Sequence, residues 1–173
     1  PAGELRAVAG VSDVTSLSLL GYDRVAGRVW TLPRCQDPSF GEVRAYNVET
    51  PGVTPETVVS VRGDGEAMMS PDLRYLATMD FDTERDRAVT RVYDLADPAA
   101  PPAVLTHEAG TYGAGYRWCD GKLAYLAHGG RAYWEGTDEM HGLWLWEPGQ
   151  AEALRLAEPQ GADATIAGCT PDS

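Results

Sequence analysis

The chain has 173 residues, 43% of them hydrophobic and 23% charged, with a net charge of −12; this is a globular composition, long enough for one sizeable core or for a few small units sharing one. Its 14 basic residues are scattered singly, only Lys122 being a lysine, so no face gathers the positive charge that phosphate neutralisation needs, and nucleic acid and anionic membrane surfaces are poor partners. No apolar run approaches the ~20 residues of a membrane-spanning helix, and no phosphate-binding Gly loop or H-E-x-x-H appears, so neither a membrane span nor a cofactor is expected.

In chain order, residues 4–8 read as a short edge strand. From Asp13 to Leu20, Val14, Ser16 and Ser18 alternate with Thr15, Leu17 and Leu19, the period of a strand. Gly21-Tyr22-Asp23 is expected to turn the chain into a strand over 24–32. Pro33 to Gly41 is a loop holding Cys35 and Phe40, Glu42–Val48 is a third strand ended by Pro51-Gly52, and the β-branched stretch Thr57–Val61 is a fourth. The pattern then restarts: strands over 66–70, 74–79 and 89–95, joined by the turn Pro71-Asp72 and a loop from Phe81 to Arg87, then a proline-rich link at 97–102 and a strand over 104–107. A third pass gives strands at 116–119, 122–127, 143–146 and 153–156, with a turn at Asp120-Gly121 and a long loop from His128 to His141. Thr165–Cys169 opens a fourth.

The repeat has a measurable period. Asp72 and Asp120 lie 48 positions apart and Asp120 and Asp172 lie 52 apart, while Tyr46, Tyr93 and Trp146 close successive third strands at intervals of 47 and 53. A four-strand unit recurring every ~40–50 residues is the signature of a β-propeller blade, which cannot bury both faces alone and must stack on neighbours. The stretch Ser70-Pro71-Asp72, Arg74-Tyr75-Leu76-Ala77 and then Thr90-Arg91-Val92-Tyr93-Asp94-Leu95 resembles the repeat of TolB-type, WD-like propellers. Asp120-Gly121-Lys122-Leu123-Ala124-Tyr125 with Leu143-Trp144-Leu145-Trp146 is a weaker match, and Thr170-Pro171-Asp172 opens another. The resemblance implies an all-β propeller segment: an outer strand at 4–8, blades at 13–61, 65–107 and 115–157, and the start of a fourth at 164–173. Three blades fall short of the four to eight of closed propellers, so the expectation is a native chain continuing beyond Ser173, or a second chain that completes the ring. The opening Pro-Ala-Gly, without Met or an apolar leader, suggests a trimmed N-terminus, and an extracytoplasmic location is slightly favoured.

Propellers host unrelated roles, so function has to come from particular residues. Loops between second and third strands, and those between blades, emerge on one face, where a site is expected. On it, Arg131, Tyr133 and Trp134 in the third hairpin have the composition of a contact hot spot, with Phe40 and Phe81 from the other two hairpins beside them. Asp80, Asp82, Glu84 and Asp86 alternate like Ca²⁺-binding carboxylates, but Arg85 and Arg87 interleave and a solvated hairpin is the expectation. His128, Glu135, Asp138, Glu139 and His141 lack a metal-ligand spacing, Arg62-Gly63-Asp64 reads as an ordinary blade-crossing turn, and Trp30, Trp118, Trp144 and Trp146 read as packing. No nucleophile elbow is present, and no catalytic residue is assigned. Three cysteines, Cys35, Cys119 and Cys169, leave at least one thiol without a partner in the chain; unpaired thiols are expected, with a Cys119–Cys169 disulfide as the alternative. The expected function is a non-enzymatic binding or scaffold module facing a protein or extracellular ligand. The alternative is the propeller part of a larger peptidase-like hydrolase.

Overall fold

The computed structural model describes residues 16–34, 40–50, 53–62, 67–130, 136, 139–158 and 165–169. Among them are twelve strands and no helix. β1 (Ser16–Asp23), β2 (Arg28–Arg34), β3 (Phe40–Asn47) and β4 (Glu56–Arg62) make the first blade. β5 (Ala67–Met69), β6 (Tyr75–Asp82), β7 (Arg87–Asp94) and β8 (Ala103–Thr106) make the second, and β9 (Thr111–Cys119), β10 (Lys122–Gly129), β11 (Met140–Trp146) and β12 (Leu154–Ala157) the third. Each blade is a four-stranded antiparallel meander. The extended contacts join blade one to two and two to three, so the described blades form an open segment of a propeller.

Two apolar seams hold the stack together. Leu32, Val43, Val59 and Val61 of blade one meet Met69, Leu76 and Tyr93 of blade two. Ala77, Val92 and Leu105 on the other side of blade two meet Tyr116, Trp118, Leu123, Tyr125, Ala127 and Trp146 of blade three. The middle blade is therefore packed on both faces, and β6 and β7 bury consecutive residues, 76–78 and 88–90, instead of alternating. Polar groups fasten the seams. The Arg62 amide donates to the Tyr93 hydroxyl at 2.8 Å and the Thr78 hydroxyl donates to the Arg62 carbonyl at 2.7 Å, while Trp118 Nε1 donates to the Met68 carbonyl across the second seam.

The Ser70-Pro71-Asp72 turn is built by its own side chains. The Ser70 hydroxyl donates to Asp72 and accepts from the Tyr75 amide, the Leu73 amide closes onto the Ser70 carbonyl, and Arg74 pairs with Asp94 at 2.9 Å. The same hydroxyl, ahead of the cost of burial, holds the Asp72 carboxyl below its usual range, and the Arg74 hydrogen bond does so for Asp94.

Several boundaries differ from those expected, and glycine accounts for most of them. The first turn falls at 24–27, where Asp23 accepts from the amides of Val25 and Ala26. Gly21 lies within β1 because the Leu73 side chain crosses it so closely that a Cβ would stand 2.8 Å away. β9 begins at Thr111, five residues before its expected start. Gly113 leaves room there for the Tyr116 and His107 rings, and Gly115, at φ 60°, forms a bulge. In blade two the expected loop from Phe81 to Arg87 contracts to a turn at 83–86, since Asp82 accepts from the amides of Glu84 and Arg85 and thereby caps it. The edge strand expected at 4–8 lies outside the described residues.

The segment 165–169, expected as a strand, takes no strand structure. Cys169 is joined by a disulfide to Cys119, with a Cα separation of 5.4 Å, so the alternative reading of the cysteines holds for this pair, and Cys35 lies outside the described residues. The bond closes a loop of about 50 residues, which is worth about 4 kcal/mol where other contacts already fix the tail. Here no sheet hydrogen bonds fix it, and without the bond only the difference between that loop and the short one from Ala157 remains, about 1 kcal/mol. Urea unfolding of the Cys119→Ser, Cys169→Ser protein should show the smaller loss. A loss near 4 kcal/mol would mean that 165–169 is docked independently of the disulfide.

Candidate functional site

Where β10 leads toward β11, the described residues form a platform. There the Gly129 amide donates to the Glu139 carbonyl at 2.7 Å, and the Gly130 amide donates to the Gly110 carbonyl at 2.9 Å, tying the hairpin to the β8–β9 crossing. Tyr112 stacks on His128 with ring centroids 5.6 Å apart. Gly136 lies against the Tyr112 hydroxyl so closely that no side chain would fit. Arg131, Tyr133 and Trp134 lie outside the described residues, as do Glu135 and Asp138. Phe40 is the first residue of β3, and Phe81 sits half-buried in β6 opposite Ala88, so Phe81 is a strand residue and not a loop tip.

Of the alternating carboxylates, the first two are built into the hairpin. Asp80 is nearly buried and pairs with Arg91 at 2.9 Å. Asp82 pairs with Arg85 and caps the turn. Glu84 and Asp86 are exposed at its tip. No three potential metal ligands converge among the described residues. His141 is 3.9 Å from Glu139, while His128 is turned into its stack with Tyr112.

Below the platform lies a feature that motif reading passes over. His107, just past β8, is buried, and its Nε2 lies 2.9 Å from the Thr90 hydroxyl, which in turn lies 2.6 Å from the Tyr116 hydroxyl. The Tyr125 ring stands edge-on to the imidazole at 5.2 Å. Burial drives the His107 pKa down to about 4, so the ring is neutral at pH 7 and the three groups form one hydrogen-bonded chain across the seam between blades two and three. Thr90 and Tyr116 belong to different repeats, and the signal in the sequence would have been a buried threonine on a third strand facing a histidine after the fourth.

Beside this chain a cleft of about 390 Å³ opens between the outer strands of the two blades, lined by Glu108, Tyr125, His141, Trp144, Glu152 and Arg155 among others. Arg155 lies over the Trp144 ring at 5.7 Å, pairs with Glu158 at 2.8 Å and donates to the His141 carbonyl. Burial, followed by the charge of Glu108, pushes the Tyr125 hydroxyl pKa well up.

No family model matches the chain, and no curated protein matches it in sequence. Among solved structures it is similar to the β-propeller domain of the Trilobed protease from Pyrococcus furiosus, described as having an open velcro topology, with a TM-score of 0.52 and 10% identity over 82% of this chain and 43% of that one. At that identity the likeness speaks to fold alone, and it agrees with three blades of a β-propeller. The chain spans less than half the length of that domain.

Proposed function

We propose that this chain is a non-enzymatic binding module, a single TolB-type propeller segment that presents the third hairpin to a protein partner. The observation that carries the reading is the platform of Tyr112, His128 and Gly136, which fixes the base of a hairpin whose sequence holds Arg131, Tyr133 and Trp134. A rigid base lowers the entropy cost of ordering aromatic contacts on binding. The open stack leaves the ends of the segment to a further chain or further blades. The extracytoplasmic setting belongs to the same reading, and the Cys119–Cys169 disulfide supports it because disulfides persist in oxidising compartments.

Tyr133→Ala with Trp134→Ala is expected to weaken a purified partner by about 2 kcal/mol or more, roughly thirtyfold, without moving the unfolding midpoint. Unchanged affinity in surface plasmon resonance would remove the hairpin from the site.

A second reading, the propeller part of a peptidase-like hydrolase, is favoured by one observation: the similar propeller domain belongs to a protease. The native polypeptide discriminates the two. A strand–turn–helix G-x-S-x-G segment attached to these blades would establish the hydrolase, whereas further blades alone would favour the binding module.

A further inference from the structure

The cleft between blades two and three carries unmatched negative charge. Glu108 and Glu152 both line it and both are exposed, and neither makes an ion pair among the described residues. The cation in the cleft, Arg155, is already matched by Glu158. Tyr125 and Trp144 give the lining an aromatic part, and Arg155 already lies over the Trp144 ring.

A second observation is independent of the acidic pair. Tyr125 is only 4% exposed, yet its hydroxyl has no hydrogen-bond partner among the described residues, although its ring is held on two sides by His107 and Tyr116. Buried hydroxyls normally find partners. This one lines the cleft and does not belong to the sealed polar atoms of the core. It is a polar group left over by the fold. The volume lies within the range of ligand pockets.

We propose that this cleft is a binding slot for a cationic group, a guanidinium or an ammonium, held by the carboxylates of Glu108 and Glu152 and by the oxygen of the Tyr125 hydroxyl against the aromatic wall. An anion is the wrong occupant, because it would face two carboxylates that have no ion pair and, among the described lining residues, no unmatched arginine or lysine to offset them. The slot goes beyond the binding reading above, since a small cation can be tested whether or not the hairpin recognises a protein.

The test is calorimetric titration of the protein with N-acetylarginine methylamide, with the uncharged citrulline analogue as control. The arginine derivative is expected to saturate, to weaken as salt rises, and to bind about tenfold more tightly than the citrulline one. Glu108→Gln with Glu152→Gln should weaken it about tenfold, and Tyr125→Phe about threefold, with both unfolding midpoints unchanged because neither change disturbs a contact within the fold. Two further arms identify the source. Tighter binding of a single-arginine peptide points to a polypeptide, and tighter binding of spermidine points to a free polyamine; either supports a cation slot. Failure of every cation to saturate below about 10 mM, equal binding of citrulline, or unchanged affinity in the glutamine variant would overturn it. None of these readouts depends on Tyr133 or Trp134, so failure here leaves the hairpin reading to its own test.

Discussion

Trp146→Ala is expected to lower the free energy of unfolding by about 4 kcal/mol, the largest loss from any single truncation on the seam between blades two and three. Trp146 is fully buried, pairs with Leu123 across β10 and β11, and packs in one cluster with Tyr116, Trp118 and Tyr125. Its indole N–H donates to the Gln150 carbonyl at 2.9 Å, so truncation opens a cavity and also strands an acceptor. Total stabilities of domains lie near 5–15 kcal/mol, and a loss of this size takes a large share of them. The contrast makes the prediction specific. Leu154, 64% exposed on the outer strand, should cost less than about 0.5 kcal/mol when truncated. Urea denaturation followed by circular dichroism measures both. If Trp146→Ala cost under about 1 kcal/mol, the two blades would not share a core. If instead blade three melted first while the rest held, the stack would behave as coupled units rather than as one cooperative body.

The features that read correctly from the sequence share a physical reason: they are local. Ser70-Pro71-Asp72 specifies its turn through Ser70 and Asp72, and Asp120-Gly121 supplies the two left-handed residues of a tight hairpin. Once those turns are placed, the repeat period orders the strands into blades. Glycine misled the boundaries because it has two uses. At Gly21, Gly113 and Gly115 it serves close approach or a bulge inside a strand, and composition alone cannot separate that from a turn. Asp80 and Asp82, expected in a solvated hairpin and not as metal ligands, are tied into the fold: Arg91 sits beside one on the neighbouring strand and the other turns back onto its own loop. The chain Thr90–His107–Tyr116 was illegible for a different reason. Its members come from the third strand of one repeat, the end of the fourth, and the first strand of the next. Only the stacking of blades brings them together, and a single pass along the sequence treats each as an isolated polar residue.

That chain gives the second large effect, and its sign follows from burial. His107 is neutral in the folded protein with a pKa near 4, because burial penalises the imidazolium, whereas an unfolded histidine titrates near 6.5. Between those values the unfolded chain binds a proton that the folded chain does not, so stability falls as pH drops from about 6.5 to about 4 and His107 contributes no further change below that. The loss attributable to this group is on the order of 3 kcal/mol. Neighbouring groups do not offset it. Thr90, Tyr116 and Tyr125 face the ring without a charge at these pH values, and Arg87 donates to the His107 carbonyl and stays cationic throughout. Asp72 and Asp94, held below the usual carboxylate range by Ser70 and Arg74, contribute stability that is lost only as pH falls further, so their window is separate. Unfolding free energy measured in urea from pH 7 to pH 4 should therefore decline steeply, and His107→Gln should flatten that decline while lowering stability at pH 7. Because the ring bridges blades two and three, the acid transition should coincide with loss of the near-ultraviolet signal from Trp118 and Trp146 at the same seam. An unchanged slope in the glutamine variant would mean that water or a rearranged Thr90 admits the charged ring, and the seam would then be looser than its geometry implies.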